Sequence, residues 1–239
     1  MALQEIGIQF ADLGDIFKVK EIKGKNIFST GVAVTAADRT GRLAVVTERY
    51  LDPSRQYITA DDLNENGLYI DKYEDISIPL VSKHDGLVVA SFRMIQASEN
   101  LGLPMQNSKE IIISAEWQNK VDEAPFELSQ FAKALSHKKY PQPSIAVIKA
   151  YMAIADQLGI KEAIAVIDDG VVATLNGPYS GFDLPKIGPS VYYLGSSSTP
   201  VFINIDNVRI NARNNGHPEL ADFLEGKKNV PGFEWYVGP

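Results

Sequence analysis

A single carboxylate, Glu127, stands in the apolar run Pro125-Phe-Glu-Leu-Ser-Gln-Phe131. Burying an ionised carboxylate without a partner is costly, so Glu127 must either pair with a cation or hold a proton. Both states suit proton transfer. Upstream, Arg93 lies near the end of a second apolar run, Leu87-Val-Val-Ala-Ser-Phe-Arg-Met-Ile95. An unpaired guanidinium there would also be costly, so Arg93 is expected to meet Asp71, Glu74, Asp75 or Glu127, or a substrate carboxylate. Lys133 is the other cation that could pair with Glu127. The acidic group Asp71, Glu74 and Asp75 either receives a cationic amine or forms a solvated loop face.

The rest of the composition narrows the chemistry. Cysteine is absent, which excludes disulfides, thiolate metal sites and a cysteine nucleophile. The three histidines, His84, His137 and His217, lack helical spacing, so no metal centre is expected. A formal charge of -7 gives no field that would draw in nucleic acid. With 45% hydrophobic and 22% charged residues over 239 positions, the chain reads as a folded, soluble protein rather than a membrane or disordered one. The amino terminus lacks the pattern of a signal peptide, which makes the cytoplasm the expected compartment. Two basic clusters stand out locally, His137-Lys138-Lys139 and Lys227-Lys228.

Positioning these residues requires a framework of strands and helices. Residues 1–30 read as an N-terminal extension or an edge hairpin. Gly31–Thr35 reads as a short strand, and Ala36–Leu51 as a helix with Leu43, Val46 and Tyr50 on one face. A loop with a helical turn at Ala60–Leu63 is expected from the Asp, Pro, Ser and Asn content of Asp52–Asn66. Ser77–Ser82 and Leu87–Ile95 form a hairpin about His84-Asp85-Gly86. A strand is expected at Ile111–Ser114, another at Phe126–Ala132, then a helix capped by Ser144 and stopped by Gly159. Strands at Glu162–Ile167, Val191–Leu194 and Pro200–Ile205 complete a sheet, with a helix from Val171 to Leu175 and turns from Gly195 to Thr199. The segment 213–239 reads as a polar tail. Together these give one α+β domain over residues 1–239.

Taken in order, Asp71-Lys-Tyr-Glu-Asp75, Gly86 to Arg93-Met94, Phe126-Glu-Leu-Ser-Gln-Phe131, the helix near Ser144 and Asn176-Gly177 to Ile187-Gly188 resemble the acyl-homoserine lactone synthases. The related N-acyl amino acid synthases share the same series. The resemblance covers roughly the last two thirds of the chain. It implies a GNAT acyl-CoA N-acyltransferase fold, with a central mixed, mostly antiparallel sheet flanked by helices. The chain departs from the family pattern at three places. Gln130 stands where the family has Arg, Met94 replaces Leu, and Glu74 or Asp75 fills the last acidic position. The Gly-rich loop that holds coenzyme A pyrophosphate in most GNAT acetyltransferases is absent before Ser144, as it is in the resembled families.

What the resemblance implies is an N-acyltransferase that moves a fatty acyl group from an acyl carrier protein or acyl-CoA to the amine of an amino acid or related metabolite. The co-substrate would be acyl-CoA or acyl-phosphopantetheine, with no metal. Glu127 and Arg93 are the expected catalytic pair. Asp71, Glu74, Asp75, Ser129, Gln130 and Phe131 would bind substrate, with backbone N–H groups near Ser129–Phe131 holding the carbonyl oxygen. Phe92, Met94, Phe126, Met152 and Phe182 would line an acyl tunnel or simply form core. The basic stretch Lys133–Lys139 would suit an acidic carrier protein. Two other readings stay open: a short-chain GNAT acetyltransferase, and an inactive relative that binds acyl thioesters, which the change at Gln130 favours.

Overall fold

A computed structural model of the chain describes residues 13, 17–19, 27–54 and 57–239. The first strand, β1, spans Phe28–Val32 and leads into helix α1, Ala36–Tyr50. Thr35 caps α1 by accepting the Asp38 N–H. Gly41 lets this helix lie close on the sheet, since a Cβ there would meet Val88 at 2.9 Å. The expected hairpin is present as β2, Ser77–His84, and β3, Leu87–Gln96. Its turn holds Asp85 and Gly86 at φ of 49° and 82°, the double left-handed geometry that matches the twist of the two strands.

After β3 the chain forms short helices α2, Pro104–Asn107, and α3, Gln118–Asp122. The strand expected at Ile111–Ser114 does not form. Among the described residues, the Ser114 N–H alone reaches a neighbour, the Ile187 carbonyl at 2.8 Å, and one bond does not make a ladder. Strand β4 covers Phe126–Lys133, and helix α4 covers Gln142–Leu158. Ser144 lies inside α4 rather than at its cap, because Pro143 fits the first turn and the helix starts earlier. Gly159, at φ of 68°, ends it as expected.

Strand β5, Glu162–Asp168, runs into helix α5, Asp169–Asn176, whose cap is Asp168. A second hairpin joins β6, Val191–Tyr193, to β7, Ser196–Asn204. Gly195–Thr199 is therefore mostly strand, with the turn confined to Leu194 and Gly195 at φ of 46° and 84°. Helices α6, Ile205–Asn214, and α7, Pro218–Leu224, follow, and strand β8, Tyr236–Val237, pairs in parallel with β1. The segment read as a polar tail thus carries a helix, an edge strand and a stacked aromatic group of Phe223, Phe233, Trp235 and Tyr236. The expectation for residues 1–30 falls largely outside the described residues. Within it, Leu13, Phe17 and Val19 are buried and Lys18 bridges to Val32.

The eight described strands form one sheet in the order β6-β7-β5-β4-β3-β2-β1-β8. It is mixed and mostly antiparallel; only β4 with β5 and β1 with β8 are parallel. Strand alternation sends Phe92 and Met94 to the face covered by α4, α5, α6 and α7, where Val147, Tyr151, Val172, Val208 and Phe223 complete the main core. Arg93 and Ile95 point to the opposite face, where Ile95 packs with Leu103, Met105 and Ile164. Helix α1 covers that second face near β4, with Val45 and Val46 against Ala132 and Ala134.

Candidate active site

Two irregularities of β4 build the site. Its parallel ladder with β5 consists of Glu127↔Ile164 and Leu128↔Ala165 and goes no further, so the two strands part beyond Leu128. At the same place β4 carries a bulge, with Gln130 at φ of 50° and the β3 register shifting between Ser91 and Arg93. The extra residue changes which face each side chain meets. Leu128 and Phe131, three apart, both join the α4-side core, while Ala132 turns to α1.

A cavity of about 160 Å³ occupies the slot where the strands part. Its walls include Leu128 to Phe131 of β4 and Ala165 to Asp168 of β5. Tyr50 of α1 borders it on one side of the sheet, and Met152, Phe182 and Val208 border it on the other. The cavity therefore passes through the sheet. A wider cleft of about 580 Å³ shares Tyr50, Tyr57, Phe131, Ile148 and Phe182 with it and opens beside the start of α4. Arg49, Lys133 and Lys138 stand on the walls of that cleft. Of the residues expected to line an acyl tunnel, Phe92, Met152 and Phe182 stand in the wall of the smaller cavity, as does Phe131. Met94 and Phe126 are instead sealed in the adjoining core.

On the α1 side, the charged residues form one network of two buried guanidinium groups and two half-buried carboxylates. Arg93 holds Asp71 through two bonds of 2.7 Å, reaches Glu74 at 3.5 Å, and donates from Nε to the Ser129 Oγ at 3.1 Å. Arg42 of α1, fully buried, donates to both Gln130 Oε1 and Glu74 Oε1. Two cations thus face two carboxylates, and the charges balance. Burial opposes both guanidinium charges. In Arg93 the Asp71 bonds overcome it and hold the proton more firmly, whereas in Arg42 burial prevails over Glu74 and the pKa falls. Asp75 takes no part and faces solvent.

Glu127 has neither of the cation partners considered from the sequence. Its Oε2 accepts the Met105 N–H at 2.7 Å, with the side chain 3% exposed. Burial pushes its pKa to about 8, against the opposing pull of that N–H and of Arg93. At neutral pH it therefore mostly holds its proton. Lys133 instead donates to the Tyr140 carbonyl at 2.6 Å, and burial lowers its pKa.

The structure brings Arg93, Asp71, Glu74, Ser129 and Gln130 together and adds Arg42, Met105 and the tyrosines of the cavity, none of which was a candidate in the sequence. Arg42 left a trace: Asp38, Arg42 and Val46 recur at four-residue spacing, which puts both charged residues on the inward stripe of α1. Met105 left none, since a backbone N–H has no sequence signature. Among the described residues, no cluster of three or more potential metal ligands occurs, and no helix is long and apolar enough to cross a membrane.

No protein-family model matches the sequence, and no curated protein matches it. Solved structures do share its fold. The N-acyl amino acid synthase FeeM, from uncultured soil microbes, aligns at a TM-score of 0.59 over 77% of this chain and 93% of its own, with 14% identity. The acyl-homoserine lactone synthase LasI aligns at 0.55 over 74% and 89%, with 16% identity. The CoA-dependent acyl-homoserine lactone synthase BjaI, in its structure with MTA, aligns at 0.57 over 88% and 92%, with 13% identity. The expected α+β architecture is borne out: this chain shares the fold of acyl-homoserine lactone synthases and of an N-acyl amino acid synthase.

Proposed function

We propose that the protein is an N-acyltransferase that moves an acyl group, fatty in character, from a thioester to the amine of an amino acid or related metabolite. The observation that carries this reading is the cavity through the β4–β5 slot, apolar toward α4 and walled by β4, the strand that also holds Glu127, a buried carboxyl of raised pKa. Acyl transfer needs an apolar channel for the chain, a place for the carbonyl beside hydrogen-bond donors, and an acceptor for the amine proton. Phe92, Phe131, Met152 and Phe182 supply the channel. The backbone of Ser129–Phe131, where the β5 ladder has ended, borders the carbonyl position.

In this reading the neutral amine approaches from the α1 side, over Asp71, Glu74 and Arg93, and its proton passes to ionised Glu127, directly or through one water, as the N–C bond forms. The nitrogen attacks the thioester carbon, the carbonyl collapses, and the thiolate leaves into the wider cleft. Acyl-CoA or acyl-phosphopantetheine would lie along that cleft, its phosphates near Arg49, Lys133 and Lys138. The BjaI structure with SAM and isopentyl-CoA is a precedent for such a donor on this fold. An acidic carrier protein would dock on the same basic stretch, Lys133 to Lys139.

Incubation with a series of acyl thioesters and pooled amines, following thiol release and product mass, tests the reading. Amine-dependent release that lengthens its preference with chain size supports fatty acyl transfer. Release with acetyl-CoA alone would leave the short-chain acetyltransferase. Absence of release with every donor, together with retained thioester binding, would leave only the inactive relative.

A further inference from the structure

We propose that the side-chain amide of Gln130 is a catalytic hydrogen-bond donor, its Nε2–H holding the thioester carbonyl oxygen as negative charge develops there. The proposal rests on the acyl-transfer reading and adds to it a residue at which this chain departs from the resembled pattern. Gln130 sits in the cavity wall at the point where β4 and β5 part. It occupies the left-handed backbone region at φ of 50°, which side chains other than Gly, Asn and Asp rarely adopt. Such conformations persist where surrounding contacts impose them, and they concentrate at functional sites.

The contact here is Arg42, whose guanidinium donates to Gln130 Oε1 and so fixes the plane of the carboxamide. The other end, Nε2, has no partner among the described residues although Gln130 is only 5% exposed. A buried donor left unpaired is destabilising and rare, which points to an acceptor supplied from outside the chain. Arg42 also polarises the amide: a charged donor on Oε1 draws electron density from nitrogen and strengthens the Nε2–H donor. Next to it, Ser129 Oγ accepts from Arg93 Nε, which leaves the hydroxyl proton available to the same cavity.

The amine nitrogen forms a bond to the carbonyl carbon, and the carbonyl π pair moves onto oxygen, where Nε2–H meets it. Return of that pair breaks the C–S bond, the sulfur leaves with its electrons, and the amine proton passes to Glu127. A fixed neutral donor favours the charged intermediate without competing for the Asp71 and Glu74 carboxylates, as an arginine in its place would.

Gln130→Glu tests this cleanly, since the introduced carboxylate still accepts from Arg42 but offers no donor. Expected is a fall in kcat of about 10²- to 10³-fold, the usual effect of losing one such donor, with the donor KM little changed. A fall in kcat without a matching rise in the donor KM is a split that a purely structural role would not produce. Gln130→Met, which has neither donor nor acceptor, is the second variant and should lose kcat similarly. Unchanged kcat in either folded variant overturns the role of Gln130 and leaves the acyl-transfer reading standing. Failure of the wild type to release thiol with any donor overturns that reading, and this proposal with it.

Discussion

Glu127→Gln separates the physical claim about this carboxyl from any claim about catalysis. Folded, the group titrates near 8; unfolded, it should return to its ordinary value of 4.5. Between those values the native state keeps a proton that the unfolded chain has released. Stability therefore falls as pH rises through this window, by about 1.4 kcal/mol per unit and at most about 5 kcal/mol over its 3.5 units. Below 4.5 both states are protonated and the penalty vanishes; above 8 it is constant. Glutamine keeps an oxygen for the Met105 N–H and carries no such penalty. Urea unfolding of both proteins at pH 5, 6, 7 and 8 should show the variant gaining on the wild type at each step, while all other titrating groups cancel in the difference. For a chain of this size the full window is worth on the order of 10 to 20 °C in Tm. Parallel stability curves would refute the reasoning, because they would mean that Glu127 is not desolvated in the native state. In the thiol-release assay, wild-type turnover should climb with pH toward 8 as the carboxylate form fills, and the variant should lose that limb along with about 10²- to 10⁴-fold in rate.

Removing Arg93 as Met strips Asp71 of both its strong bonds and leaves two half-buried carboxylates facing one guanidinium, so a loss of about 3 kcal/mol is expected in chemical denaturation; a cost under 1 kcal/mol would mean the network is solvated. Met152→Trp places an indole in the cavity wall and should shift the acyl-chain optimum to shorter donors, read from kcat/KM across a chain-length series. Reversing Lys138 and Lys139 to Glu should slow turnover of carrier-protein donors at low salt; unchanged turnover would remove this stretch as the docking surface.

Local signals were legible where one residue type has one physical use. Asp85-Gly86 between β-branched arms specified a left-handed turn, and Gly159 after an apolar helix specified its stop. The strand expected at Ile111–Ser114 shows the limit: β-branched residues suit a ladder, but no neighbouring strand comes alongside, and Ile112 is left exposed. The acidic segment is similar. Asp71, Glu74 and Asp75 look alike in sequence, yet the turn at Glu74–Ile76 directs the first two to Arg93 and Arg42 and the third to water.

The sequence by itself determined that Glu127 and Arg93 would sit in apolar strands, where each needs a partner or a changed protonation state, because that follows from side-chain type and neighbours alone. Only the tertiary structure decided which partner each received. Asp71 reached Arg93 across a loop, Arg42 reached Gln130 from a helix 88 positions away, and a backbone N–H rather than a cation reached Glu127. The slot itself is likewise a tertiary product, since it forms where two strands far apart in sequence stop pairing, and no local pattern in either one encodes that end.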